Sequence, residues 1–324
     1  MMTDIPREPE TNGTLVDNGD SKKIDPPQHS PAFLPSGVDR FENQVSGHIE
    51  DSQGNFAGVL KCQNLPRIWK PFGKSPGCLK ELYFYTTLNA VDASEDLRNL
   101  RRFVPAFHGI AETGKTEAER FFVLEDLTRD LKMACVADIK IGKKTHEPSA
   151  TQDKIDFENS RYVGTKLVVG FCLPGAKFFS VAEKKWVKWD KKFGYKLEAK
   201  DAGNAIFTFL NRSLPLTKEV LRQLRRILSW FETENASFAF FASSVLVTYD
   251  AAALLEGEGP RSVRVKMIDF AHTIPLAEAQ ESMSSEGAKD DNYIHGLKNV
   301  IQCLEEAASV SGMGDEVSLD SVPR

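Results

Sequence analysis

A chain of 324 residues, 41% apolar and 27% charged, has the length and composition of a compact two-lobed soluble protein with a sizeable core. Its formal net charge of −5 excludes a nucleic-acid binder whose basicity runs through the whole chain, but leaves room for a locally basic pocket. The five cysteines (Cys62, Cys78, Cys135, Cys172 and Cys303) are scattered and lack CxxC or Cys/His spacing, which argues against a disulfide framework or zinc site and suits a reducing compartment.

Residues 1–35 are rich in Pro, Asp, Asn, Gly and Ser and read as a disordered tail. Acidic residues such as Asp4, Glu8 and Asp17 fall where a signal peptide would need an apolar stretch. Strand-like segments come next at 43–50 and 56–62, joined by a turn at 51–54. Leu79, Leu82, Tyr83, Leu88 and Val91 recur at helical spacing and predict a helix over 77–91. Strands at 104–110 and 120–125 then end at Glu125-Asp126-Leu127-Thr128. These elements form a small, mostly antiparallel lobe with one helix, assigned to 36–127.

Beyond that break the reading is a strand over 134–141, a polar stretch over 143–165, and a strand-rich stretch over 166–180. Helices are expected at 199–210 and 217–233, the second burying Val220, Leu221, Leu224, Ile227, Leu228 and Phe231. Strands at 238–249 and 263–270 and a helix at 292–307 complete a larger mixed lobe over 128–308, succeeded by a second disordered tail over 309–324. The most apolar stretch, 238–255, is broken by Ser243, Ser244, Thr248 and Asp250, so no membrane-spanning helix is expected. The fold class is α+β, two-lobed and kinase-like, with a crevice between the lobes. Such a crevice suits a nucleotide.

Phosphoryl transfer asks a protein for positioning, acidic metal ligands and cations on developing charge. Lys61 ends a strand at Gly58-Val-Leu-Lys61 and could reach nucleotide phosphates, with Glu81 on the next helix orienting its ammonium. Backbone at Glu125 and Leu127 could meet an adenine edge; otherwise these residues end a polar strand. In Ala137-Asp138-Ile-Lys140-Ile-Gly142, strand alternation puts Asp138 and Lys140 on one face, either as a salt bridge or as a pair holding an acceptor hydroxyl and a phosphate. Asp269 ends an apolar strand, where it either caps a turn or, beside a triphosphate, binds Mg2+. Ser243 and Ser244 are candidates for contacting phosphate or a metal-bound water, or are ordinary strand serines. Between residues 140 and 200 there are 14 Lys and Arg against 7 Asp and Glu, a local excess of 7 positive charges that suits a small polyanion.

In this order the motifs resemble the inositol polyphosphate kinase family. Its signature Pro-x-x-x-Asp-x-Lys-x-Gly is similar to Ala134-Cys-Val-Ala-Asp138-Ile-Lys140-Ile-Gly142, with alanine for the leading proline. Glu81-Leu-Tyr-Phe-Tyr85, Phe122-Val-Leu-Glu-Asp-Leu-Thr128, Ser243-Ser-Val-Leu246 and Ile268-Asp-Phe270 resemble its helix, hinge, serine and metal motifs. Within the family, Lys140-Ile-Gly-Lys-Lys-Thr-His-Glu-Pro148, with Asp153-Lys-Ile155 after it, is most similar to the multikinases. A helical insertion typical of trisphosphate 3-kinases and the Thr-Arg-Gln-His-Gly segment of hexakisphosphate kinases are both absent.

The resemblance implies ATP and Mg2+ as cofactors, inositol phosphates as substrates, and a monomer in nucleus and cytoplasm; an open acceptor site on the short segment 143–165 leaves room for lipid phosphoinositide headgroups, and the net charge argues against a nucleic-acid partner. It implies that Lys61 holds ATP phosphates, Glu125 and Leu127 adenine, Asp138 the ribose or acceptor hydroxyl, Lys140 the transferred group and Asp269 the metal. Lys154, Arg161 and Lys191 would grip the acceptor, with Phe157 and Glu158 standing where multikinases often carry glutamines. An ordinary protein kinase fits poorly, since His-Arg-Asp and Gly-x-Gly-x-x-Gly are missing and Asp269-Phe-Ala271 replaces Asp-Phe-Gly. A silent scaffold would be expected to have lost Lys61, Asp138, Lys140 or Asp269, and all four are present.

Overall fold

The computed structural model describes residues 34–47, 57–73, 76–114, 120–257, 259–260, 262–283 and 289–317. The expected N-terminal tail up to residue 33, and the expected turn at 51–54, lie outside them. The first lobe is an antiparallel five-stranded sheet in the order β1-β2-β3-β5-β4. Its strands are β1 (Val38–Arg40), β2 (Leu60–Cys62), β3 (Arg67–Pro71), β4 (Phe107–Glu112) and β5 (Arg120–Glu125). Helices α1 (Gly77–Leu88) and α2 (Glu95–Leu100) lie between β3 and β4 in the chain.

Residues 43–47 form no strand. Side-chain hydrogen bonds supplant the ladder there: the Gln44 amide oxygen accepts from Val59 N–H at 2.8 Å, and Gly47 adopts φ +81°.

Helix α1 anchors one side of the cleft. Glu81, Phe84, Tyr85 and Leu88 recur at three- and four-residue intervals, so they share one buried face. Phe84 stacks on Phe270 with ring centroids 4.0 Å apart, and Tyr85 stacks on Phe107 at 5.0 Å. The aromatic pair fixes the helix against the residue after Asp269, which carries Glu81 to the same place.

The second lobe is an antiparallel sheet in the order β11-β10-β6-β7-β8. It comprises β6 (Ala134–Ile141), β7 (Phe171–Ser180), β8 (Lys185–Trp189), β10 (Ser244–Asp250) and β11 (Arg264–Ile268). β6 is central and buried at every position except Lys140, which is partly exposed. A short pair joins β9 (Phe238–Phe240) to β12 (Thr273–Pro275). The single strand expected over 238–249 is thus two, divided at Ala242, whose φ is +54°.

Helices α6 (Ala199–Phe209), α7 (Leu214–Thr233) and α10 (Asp291–Val317) contribute to the principal core. α7 buries Val220, Leu221, Leu224, Ile227, Trp230 and Phe231 and leaves Arg222, Arg225 and Arg226 outside. Ser213 caps it by accepting from Leu216 N–H.

Three expectations are corrected. The polar stretch over 143–165 contains α3 (Gln152–Asn159), capped by Thr151. The strand expected from residue 166 begins as a single helical turn, α4 (Lys166–Val169), ended by Gly170 at φ +75°. The tail expected from residue 309 is helical as far as Val317, α10 continuing through Gly312 and Gly314. Short helices α5 (Lys191–Lys196), α8 (Ala251–Leu255) and α9 (Leu276–Met283) complete the described residues, in which no helix is long and apolar enough to cross a membrane.

Candidate active site

Three elements from the two lobes converge at one point. Lys70 on β3 places its ammonium 2.8 and 2.9 Å from the Glu81 carboxylate oxygens on α1, and 2.8 Å from Asp269 Oδ1, just past β11. Enclosure alone would lower the Lys70 pKa, but Asp269 and Glu81 outweigh it and hold the ammonium charged. Burial likewise pushes the Asp269 carboxyl up, while Lys70 and Lys140 pull it below the usual carboxylate range.

This corrects the assignment of Lys61, which lines neither of the two cavities of the cleft. In the antiparallel β2–β3 pairing Lys61 stands opposite Ile68, two residues from Lys70 and roughly 7 Å along the strand. Only the later lysine lies level with Glu81 and Asp269.

Asp138 is buried, and burial raises its carboxyl pKa despite the nearby Lys140. Its Oδ2 accepts a hydrogen bond from the Ser46 hydroxyl, and the side chain lines neither cavity, which corrects its assignment to the ribose or acceptor hydroxyl. The Lys140 ammonium donates to the Ala242 carbonyl rather than to Asp138, so the plain salt bridge is not formed. A register shift opposite Asp138 and Lys140 places its extra residue on β7, so β6 itself stays regular and keeps both side chains on one face.

Ser243 and Ser244 are fully buried and line neither cavity, which corrects their assignment to phosphate or metal-bound water. The Ser243 hydroxyl instead donates to the Asp269 carbonyl at 2.7 Å, supporting a residue held at φ +63°. Ser244 stands beside Asp138 and helps to lower its carboxyl.

A cavity of about 520 Å³ runs between the sheets, lined by Val45, Ile68, Lys70, Glu125, Leu127 and Asp269 among others. At its hinge, Glu125 N–H is already bound to the Ala106 carbonyl and Asp126 N–H to that of Pro66. Leu127 N–H takes no hydrogen bond among the described residues, while its carbonyl accepts from Arg264 at 2.9 Å. The hinge therefore offers one open donor, at Leu127. Asp126 braces it by accepting from both the N–H and hydroxyl of Thr128.

A second cavity, of about 230 Å³, shares Lys70 and Asp269 with the first. Its other walls include Lys140, Thr145, Glu158, Arg161, Lys166 and His272. Arg161 lines this cavity, 3.6 Å from Glu158. Lys154 pairs with Glu158 at 3.3 Å at the lip without lining the cavity. Lys191 opens α5 and lines neither cavity, which corrects its assignment to the acceptor.

Burial would raise the Glu158 carboxyl, but Thr145, Lys154 and Arg161 hold it below its usual range. Outside the wall, Glu147 binds His272 Nδ1 at 2.9 Å and pairs with Lys80, tying α1 to the loop after β11. The hydrogen bond from His272 is the largest influence bringing the Glu147 carboxyl down to about 2.

Sequence reasoning missed Lys70, Lys166, Glu147 and His272. For Lys70 the available signal was a second strand lysine, in Arg67-Ile-Trp-Lys70-Pro71, nearer to Glu81 in the chain. For His272 it was the position three residues beyond Asp269.

A family model described as inositol polyphosphate kinase matches residues 121–305. The chain is 26% identical over 223 residues to inositol polyphosphate multikinase of Homo sapiens, an overlap covering 67% of this chain and 52% of that protein. It is 30% identical over 202 residues to inositol hexakisphosphate kinase 3 of Mus musculus, covering 58% of this chain and 50% of that one. The chain thus spans about half the length of these relatives. The solved structure of inositol phosphate multikinase Ipk2 from S. cerevisiae, in complex with ADP and Mn2+, superposes with a TM-score of 0.58. That alignment has 21% identity and covers 75% of this chain and 99% of that one, a likeness of fold.

Proposed function

This chain belongs to the inositol polyphosphate kinase family, whose model covers more than half of it, and we propose that it transfers the γ-phosphoryl group of ATP to a hydroxyl of an already phosphorylated inositol. The observation that carries the reading is the wall shared by the two cavities. Lys70 and Asp269 face both the larger, largely apolar cleft and the smaller cavity that holds Lys140 and Arg161. A nucleotide in the first would have its terminal phosphate next to an acceptor in the second, which converts a bimolecular encounter into an oriented one.

The roles come from position. The open Leu127 N–H donates to the adenine edge, and the apolar walls cover the ring. Lys70, oriented by Glu81, holds nucleotide phosphates. Asp138, enclosed behind the cavity wall, braces Ser46, which lines the nucleotide cavity. Lys140 meets the transferred group from the acceptor side.

Among the described residues no cluster of three or more His, Cys, Asp or Glu could hold a metal ion by itself. The single carboxylate of Asp269 suits Mg2+, which takes few protein ligands and completes its shell with phosphate oxygens and water. When bound there with nucleotide, Mg2+ would neutralise phosphate charge; aligning donor and acceptor falls to Lys70, Lys140 and Arg161.

The test incubates the full chain with ATP, Mg2+ and a panel of inositol tris-, tetrakis- and hexakisphosphates and vesicle-borne phosphoinositide, resolving products by phosphate number and position. Phosphorylation of a tris- or tetrakisphosphate is expected, with turnover lost in Asp269→Asn. Phosphorylation of peptides and of no inositol would overturn the substrate class.

A further inference from the structure

The acceptor cavity contains a cation that no sequence motif pointed to. Lys166 opens α4 and is 1% exposed. Its ammonium donates to the Thr145 hydroxyl at 3.2 Å and to the Glu158 carbonyl, both of them neutral groups. The nearby acidic side chain, Glu158, is engaged by Thr145, Lys154 and Arg161 instead. Among the described residues no carboxylate forms a salt bridge with Lys166.

A buried ammonium with two neutral partners retains one N–H and a charge without a direct ion pair. Lysines are almost never buried in this way unless paired, because desolvation penalises the charged form. Burial lowers the Lys166 pKa, and although Cys172 and Glu158 offset part of this, neighbouring Arg161 and Lys140 act in the same direction as burial. Without an anion the arrangement is unfavourable for the folded protein, and an apolar residue would pack there at less cost. Its wall faces the same cavity as Lys140 and Arg161, where a phosphorylated acceptor would bring the missing negative charge.

We infer that Lys166 is a phosphate-binding residue of this cavity, which pairs with one particular phosphate of the inositol acceptor and so helps to select which phosphorylation patterns are accepted. This role rests on the kinase reading and adds a specificity residue to it. Thr145 and the Glu158 carbonyl aim the ammonium, and the Glu158 carboxylate, shared with Lys154 and Arg161 and in no direct ion pair with Lys166, offsets its charge only in part.

The test compares wild type with Lys166→Met, which keeps the stem and removes the charge, and with Lys166→Gln as a second variant. Three quantities are read: KM for each inositol phosphate and for ATP, calorimetric binding of an inositol trisphosphate without nucleotide, and Tm. The acceptor KM should rise tenfold or more, for those acceptors that share one phosphate position, while ATP KM stays within twofold. Tm should hold or rise, since a buried charge has gone. This opposition between affinity and stability is what a merely structural lysine would not produce.

An unchanged acceptor KM, an equal loss for every acceptor, or a fall in Tm with ATP KM rising alongside would each overturn the assignment. So would failure of both variants to fold. If wild type phosphorylates no inositol phosphate, the kinase reading itself fails; if it does and Lys166→Met matches it, only the role of Lys166 fails.

Discussion

Replacing Lys70 by methionine should separate the structural from the chemical work of the cleft. Its ammonium contacts Glu81 at 2.8 and 2.9 Å and Asp269 at 2.8 Å, and the Glu81 side chain is only 3% exposed. Removing one partner of a buried ion pair costs about 3–5 kcal/mol, because the other charge is left enclosed and unpaired. Lys70 itself is 25% exposed, so water can reach the gap, and the expected loss lies near the lower end, about 3 kcal/mol.

Adding Glu81→Gln removes the stranded charge and should return roughly 2 kcal/mol of that loss. Activity should not return, since a cation that orients phosphate is worth about two orders of magnitude or more in kcat. Lys61→Met should change stability by less than about 0.5 kcal/mol and leave turnover intact. Urea denaturation, read as a midpoint shift at constant slope, gives the stabilities, and ATP turnover gives the chemistry. Lys70→Met as stable as wild type, or Lys61→Met losing as much activity as Lys70→Met, would refute the central place given to Lys70.

Three further outcomes are expected. The Glu147 carboxyl is held near 2 in the folded protein against an ordinary 4.5, so its contribution is present above about pH 4.5 and is lost as pH falls toward 2; Glu147→Gln should flatten acid unfolding across that window. The Asp290 carboxyl behaves oppositely. Burial raises it to about 7 from 3.8, although it accepts from Phe240 and Tyr293 N–H, so stability should decline as pH rises from about 4 through 7. Asp290→Asn should remove the decline, but it keeps only one of the two acceptor contacts and sets its NH2 against the other backbone N–H, so stability at low pH should fall by about 1–3 kcal/mol in thermal or urea unfolding. A Cβ at Gly175 would stand 1.9 Å from the Val45 carbonyl oxygen, and backbone cannot move aside cheaply. Gly175→Ala should therefore cost at least about 2 kcal/mol in urea unfolding and weaken ATP binding, by displacing the segment that carries Ser46 onto Asp138.

How far the sequence revealed the site depended on whether a residue's partner was local or distant. β6 was legible because a buried central strand is nearly continuous in apolar residues, and α7 because its apolar stripe keeps helical period over 20 residues. The choice between Lys61 and Lys70 was not, because two adjacent antiparallel strands each carry a lysine and only their register decides which one meets Glu81. Ser243 and Ser244 show the converse. Their place beside the site was readable, but burial assigns Ser243 to the Asp269 backbone rather than to a ligand. Lys166 gave no signal at all, since a lysine opening a four-residue helix looks like any solvated surface charge until the chain folds over it.

Backbone strain gathers at the cleft for a related reason. Asp269 and Ala242 both adopt left-handed backbone, at φ +63° and +54°, a conformation that costs a residue with a side chain about 1–3 kcal/mol unless its surroundings dictate it. Asp269 directly succeeds β11 and Ala242 shortly precedes β10, and both have their carbonyls taken, Asp269 by the Ser243 hydroxyl and Ala242 by Lys140. Those two bonds turn the chain sharply enough for Asp269 to reach the wall shared by the cavities, and they hold Lys140 away from Asp138. The carboxylate and the ammonium that chemistry would need to keep distinct are thereby kept from neutralising one another before a ligand arrives. A regular strand end at either position would let Lys140 collapse onto Asp138, and the cleft would become an internal salt bridge instead of a place for a phosphoryl group to pass.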